Sequence, residues 1–154
     1  AREAGVEAGI KWPNDVLVDG AKLTGILTEM EGEADRVSWL VVGIGVNANV
    51  DRAALPDDVD ATSLQLEAGA DVDRRLFTQR LLEEFDALRG DPDAVLPAWR
   101  DLSVTLGQDV RVETPGGVVT GTAVDVSDPG TLVVETDDGR VDVSAGDCEH
   151  LRPR

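Results

Sequence analysis

Residues 11–27, "KWPNDVLVDGAKLTGIL", decide how the first third of this chain folds. Pro13 stops a short strand read over Gly9–Trp12, and Asn14 and Asp15 continue the turn because their side chains bond nearby backbone. Two β-rich runs then flank Asp19-Gly20, a pairing that predicts a tight hairpin turn. The stretch also holds both lysines of the chain, Lys11 and Lys22; every other basic residue is arginine.

Outward from the hairpin, "RVSWLVVGIGVNANV" is nearly all apolar from Val37 and rich in β-branched residues. It predicts a central strand buried on both faces. Helix follows. Residues 62–68 read as one or two turns with Thr62 as N-cap. Over Asp73–Arg89, Leu76, Phe77, Leu81, Leu82, Phe85 and Leu88 recur at helical spacing, with Asp71 or Asp73 to cap the start and Gly90 to close the end. Residues 91–102 predict a short helix broken at Pro97. Near Ser103 the texture changes to five short β-type runs divided by "TPGG", "DPG" and "DDG". That pattern reads as a small barrel of the SH3-like or OB kind. The expected fold is α+β: a partial mixed sheet with helices over residues 1–102, then a small barrel over 103–154.

Composition narrows the function. The chain has 154 residues, room for one ordinary domain or two small ones. It carries 31 acids against 14 bases, a net charge of −17. A surface that acidic repels nucleic acid and anionic lipid, and no 18-residue apolar stretch could cross a membrane. Acid runs can signal disorder. Here they interleave with regular apolar periodicity, which favours a folded protein of a high-salt cytoplasm, where molar salt shrinks the Debye length to ~3 Å. The chain begins with Ala1 and enters patterned sequence at once, which suggests a fragment or a processed chain. Cys148 is alone, so no internal disulfide and no CxxC metal site forms. It reads as a buried structural thiol; His150 would share its strand face, but no third catalytic member suggests itself.

Three features stand out together. Lys11 ends a strand beside a proline turn. Lys22 and Gly25 lie on the returning hairpin strand. Gly43 and Gly45 lie two apart on one strand face, with Asn47 next on the same face. Alternate glycines strip that face, leaving either a slot for a flat ligand or a surface against which a helix packs. The motif is not a dinucleotide fingerprint, having no third glycine and no helix directly after it. Nor is it a P-loop, since Lys11 follows no glycine-rich loop. A strand-end lysine can be a solvated edge charge. A chain that otherwise uses arginine, however, keeps lysine where a compact point charge is wanted.

"KWPND", "KLTGIL" and "GIGVN" in this order and spacing resemble the signature of the biotin protein ligases, or biotin–[acetyl-CoA-carboxylase] ligases. "ATSL" at 61–64, the following helix and an SH3-like tail fit the same family. The resemblance is sharp to residue 64 and looser beyond. It implies a two-step reaction: biotin and ATP give biotinyl-5′-AMP and pyrophosphate, then the biotinyl group passes to a lysine of a carboxylase carrier domain. It implies Lys11 as the essential cation at the biotin carboxylate and the α-phosphate. Gly43 and Gly45 would line the biotin slot, walled by Val16 and Gly25, and Asn47 would sit near the adenylate. Lys22 would be a phosphate contact or a support. Asp147 and Arg152, in "GDCEHLR", would reach ATP, or form a plain barrel strand. Trp12, Asn14 and Asp15 would shape the turn that aims Lys11. Mg²⁺ would arrive on the ATP phosphates, with no metal held by the protein itself. A carrier protein or domain is the implied partner, in the cytoplasm, with a homodimer left open. The family's glycine- and arginine-rich loop normally lies upstream of "KWPND", so the sequence looks like the C-terminal half of a ligase, inactive alone. A lipoate ligase and a non-catalytic binding module are the alternatives; nothing in the sequence supports a repressor role.

Overall fold

The computed structural model describes residues 1, 4–33 and 36–151. In chain order its elements are β1 (Gly9–Lys11), β2 (Asp15–Val18), β3 (Ala21–Glu33), β4 (Arg36–Val46), α1 (Leu64–Ala68), α2 (Arg74–Gly90), α3 (Val95–Leu102), β5 (Asp109–Thr114), β6 (Gly117–Ser127), β7 (Thr131–Thr136), β8 (Gly139–Val143) and β9 (Asp147–His150). The class is α+β, as the sequence predicts. The chain forms two compact units: Ala1–Ala8 with Asn14–Phe77, and Gly9–Pro13 with Thr78–Arg154.

In the first unit β2, β3 and β4 pair antiparallel in that order. Asp19 and Gly20 both take positive φ, 47° and 90°, the geometry of the primed turns that match strand twist. Asn14 prolongs the β2–β3 ladder. Its carbonyl accepts from the Ile26 N–H at 2.9 Å, and its side-chain amide donates to the Ile26 carbonyl at 2.7 Å. A small core of Val6, Val18, Leu23 and Leu64, with Val46, Val72 and Phe77 against it, holds one end of this sheet.

Two expectations fail here. Strand β4 is not buried on both faces: Val37, Trp39, Leu40 and Val41 are about half exposed, as are Leu27 and Met30 across the ladder. An apolar run reports that a strand tolerates burial on both faces, not that anything covers it; among the described residues β4 hydrogen-bonds to β3 alone. Thr62 is not the cap of α1. Ser63 is, accepting from the Leu66 N–H at 3.3 Å, while the Thr62 hydroxyl donates to Glu67 at 2.5 Å.

Helix α2 starts as expected, with Asp73 Oδ1 accepting from the N–H groups of Arg75 and Leu76. Pro97 does not break α3. It is the third residue of a helix that begins at Val95, within the first turn, where a missing N–H costs no intrahelical bond.

The second unit is a five-stranded antiparallel sheet in the order β8-β7-β6-β5-β9. Its strands coincide closely with the five β-type runs of the sequence. Alternate residues point inward, and Val110, Val112, Ala123, Leu132, Val134 and Cys148 are fully buried, as a half-buried strand requires. Gly121 is needed for packing: a Cβ there would run into the Glu135 carbonyl. The surprise in this core is Trp12. It is only 2% exposed and packs among the barrel valines, roughly a hundred residues away in sequence.

Candidate functional site

In the first unit the glycines line up across the sheet. Gly25 pairs with Gly45, and Leu27 with Gly43. None of the three glycines has positive φ, so backbone conformation does not demand them. Packing does not demand Gly43 or Gly45 either: a Cβ at each would meet only a carbonyl oxygen, at 3.6 and 3.7 Å, an ordinary contact. Their bare face is open. It floors a groove of about 530 Å³ lined by Asn14, Asp15, Lys22, Gly25, Leu27 and Gly43 among others. A second groove of about 350 Å³ is lined by Thr24, Asn47, Leu55, Val59 and Ala61 among others.

The loop after β4 builds that second groove, and Asn47 holds the loop. The Asn47 N–H donates to the Leu23 carbonyl, and its own carbonyl accepts from the Leu64 N–H. Its side-chain amide donates to the Thr62 carbonyl at 3.0 Å. Arg52 donates to the Ala61 carbonyl at 2.8 Å, and the Ser63 hydroxyl to that of Val50 at 2.7 Å. Asn47 therefore lines the groove while spending one donor as a clasp; its carbonyl oxygen and second N–H give it capacity for a ligand.

Lys22 lines both grooves. Its ammonium pairs with Asp15 Oδ1 at 2.6 Å. Val16 is half-buried opposite Thr24 and is not among the residues lining either groove.

Lys11 belongs to the second unit, and its strand is fastened to the barrel. Ile10 bridges to Ser103, and the Val104 N–H donates to the Ile10 carbonyl at 2.9 Å. The Trp12 N–H donates to Thr105 Oγ1 at 3.0 Å, a buried bond, and the Trp12 indole N–H to the Gly130 carbonyl at 2.9 Å. Thr105, itself fully buried, bonds on to His150 Nε2 at 2.9 Å. Burial pushes the His150 pKa down, and the positive charge of Lys11 pushes it further. Thr105 Oγ1 accepts from the Trp12 N–H, and the direction of its bond with His150 follows the ring's tautomer. Burial also pushes the Cys148 thiol up, against the lowering effect of Lys11. A buried thiol held protonated is no nucleophile, so Cys148 is structural, as expected. Asp147 is exposed at the start of β9, opposite Glu113. Arg152 lies outside the described residues.

Sequence reading missed Thr105 and the loop residues Leu55 and Val59. Nothing local marks them; only their distant contacts do. Among the described residues no group of three or more His, Cys, Asp or Glu side chains could hold a metal, and no helix is long and apolar enough to cross a membrane.

Family comparisons meet this arrangement at both ends of the chain. Residues 1–47 match the Biotin/lipoate A/B protein ligase family, and residues 105–151 match the Biotin protein ligase C terminal domain. The chain belongs to the biotin protein ligase family. The chain is 43% identical to the biotin–[acetyl-CoA-carboxylase] ligase of Mycobacterium tuberculosis, over 95% of its own length and 54% of the relative's. To the bifunctional ligase/repressor BirA of Bacillus subtilis it is 37% identical, over 95% of its length and 47% of the relative's. Among solved structures, the biotin protein ligase from Aquifex aeolicus in complex with biotin and ATP superposes with a TM-score of 0.76 at 26% identity, covering 99% of this chain and 65% of that one. This member of the ligase family thus spans about half the length of the curated relatives it matches.

Proposed function

We propose that this chain is the adenylate-forming and barrel portion of a biotin protein ligase, with residues 1–102 contributing to the catalytic domain and 103–154 forming the SH3-like barrel. In the first step a biotin carboxylate oxygen bonds to the α-phosphorus of ATP and pyrophosphate leaves. In the second a carrier lysine attacks the acyl carbon and AMP leaves. Lys11 supplies a fixed cation where the carboxylate and the α-phosphate develop charge. Gly25, Gly43 and Gly45 floor the biotin slot, and Asn47 borders the adenylate. Asp147 and Arg152 are the barrel's candidates to reach ATP, a plain barrel strand being the alternative for this segment. Mg²⁺ enters on the ATP phosphates, which suits its reluctance to shed water. The partner is a biotin carboxyl carrier protein or domain, met in the cytoplasm.

The observation that carries this reading is the pair of glycines at 43 and 45. Neither φ nor packing requires them, so the open face is accounted for by a ligand. The C-terminal family match favours biotin over lipoate, since the N-terminal match covers both classes.

Calorimetry in molar KCl tests it. A sulfamoyl analogue of biotinyl-5′-adenylate is titrated into this chain, with the lipoyl analogue as control. Selective binding of the biotinyl compound, lost in Gly43→Val and weakened in Lys11→Ala, is expected. Equal binding of both analogues, or wild-type affinity in Gly43→Val, sinks the reading.

A further inference from the structure

Lys11 is mounted on the barrel by the peptide groups on either side of it. On one side the Ile10 carbonyl accepts from the Val104 N–H at 2.9 Å, where Ile10 bridges in parallel to Ser103. A continued parallel ladder would hand the next donor, the Trp12 N–H, to the Val104 carbonyl. The Thr105 side chain takes it instead, through Oγ1 at 3.0 Å. The ladder thus ends beside Lys11 on the hydroxyl of a fully buried residue, which is bonded in turn to His150 Nε2 at 2.9 Å. The turn that carries Thr105 is itself braced: Ser103 Oγ accepts from the N–H groups of Thr105 and Leu106 at 3.1 and 3.2 Å.

The backbone of Lys11 is fixed, but its tip is left open. The residue is half-buried. Among the described residues no carboxylate pairs with its ammonium, although the chain carries 31 acids. Its charge is felt on β9. At His150 it adds to the downward push of burial, and at Cys148 it opposes the upward one. An unpaired cation on a braced peptide is a group whose orientation is settled before anything binds.

We infer that Thr105 and His150 are positioning residues for Lys11: Thr105 fixes the Lys11–Trp12 peptide that aims the ammonium, and His150 fixes the Thr105 hydroxyl. The inference rests on the ligase reading proposed above, in which Lys11 meets the carboxylate and the α-phosphate. It gives two barrel residues a part in recognition through Lys11 alone.

A calorimetric double-mutant cycle on the intact chain tests it, with the sulfamoyl analogue of biotinyl-5′-adenylate as the probe. Thr105→Val is expected to weaken the probe about fivefold, and Thr105→Ser, which keeps the acceptor, to stay within about twofold of wild type. The deciding readout is Thr105→Val made in Lys11→Ala. A residue that acts through the lysine has nothing left to aim there, so the further loss is expected to shrink to less than about twofold. A residue that merely supports the fold costs the same in both backgrounds. His150→Ala repeats the cycle with a smaller loss. It leaves the Thr105–Trp12 bond in place and removes only its backing, so it carries the test if circular dichroism shows Thr105→Val unfolded. Wild-type affinity in folded Thr105→Val, or in His150→Ala, overturns the inference, and so does a loss undiminished by Lys11→Ala. Unchanged binding in Lys11→Ala itself, or no binding by the wild-type chain, is a different failure: the ligase reading falls first and takes this inference with it.

Discussion

The barrel and the β3–β4 hairpin both carry apolar residues and use them to opposite ends. In the barrel the central valines and leucines are sealed: Val110, Val112, Leu132 and Val134 are fully buried. In the hairpin Leu27, Met30, Val37, Trp39, Leu40 and Val41 stand 46–68% exposed. Burial, not composition, sets the free energy of an apolar side chain, at about 25 cal/mol per Å² removed from water. The barrel therefore concentrates the stability of the chain, while the hairpin presents a glycine-floored surface that its own packing does not need.

Substitutions can break or sharpen that contrast. The largest loss is expected for Trp12→Ala, which empties a barrel-core site; urea unfolding followed by circular dichroism should read about 3–5 kcal/mol. A loss under 1 kcal/mol would show that the indole is not part of the core's support. Next comes Thr105→Val, which leaves the buried Trp12 N–H without its acceptor and should cost about 1–3 kcal/mol. Thr105→Ser should restore most of it, and failure of serine to rescue would assign the effect to packing of the methyl group instead.

The third is a pH effect. His150 is held below its ordinary value of 6.5 by burial first, then by Lys11. The folded chain thus binds fewer protons than the unfolded chain between its own pKa and 6.5, so stability rises with pH in that window. The contribution is complete above about pH 6.5 and is lost as pH falls through the folded pKa. His150 is the sole histidine, so unfolding titrations between pH 5 and 7.5 should show a slope that His150→Gln reduces. An unchanged slope would refute the assignment. The smallest effect belongs to the hairpin: Leu40→Ser, at an exposed site, should move stability by about 0.5 kcal/mol or less. A loss as large as that of a barrel leucine would mean the hairpin face is covered in solution.

Much of this fold was legible in the sequence because it is local. Asp19-Gly20 states its own turn, and the five barrel strands announce themselves by period-2 alternation between Gly- and Pro-marked turns. Residues 43 and 45 could be singled out because glycine in a strand is conspicuous. What stayed hidden depends on distant partners. Trp12 reads as a turn residue until Thr105 and Gly130 arrive, 93 and 118 positions later. The apolar run of β4 says nothing of what lies above it. Thr62 and Ser63 are equal as caps on paper, and only Glu67 and Val50, which take their hydroxyl protons, separate them.

The mounting of Trp12 has a consequence for how the protein is made. The residues that enclose its indole, on β5 to β9, are translated long after it. Once it has emitted Trp12, a ribosome must deliver well over a hundred further residues before the indole has a place to go. Closing so long a loop is entropically slow. The barrel therefore closes only once β9 has been made, and nascent chains stalled before β7 should leave Trp12 in water, open to any chaperone that binds aromatic side chains.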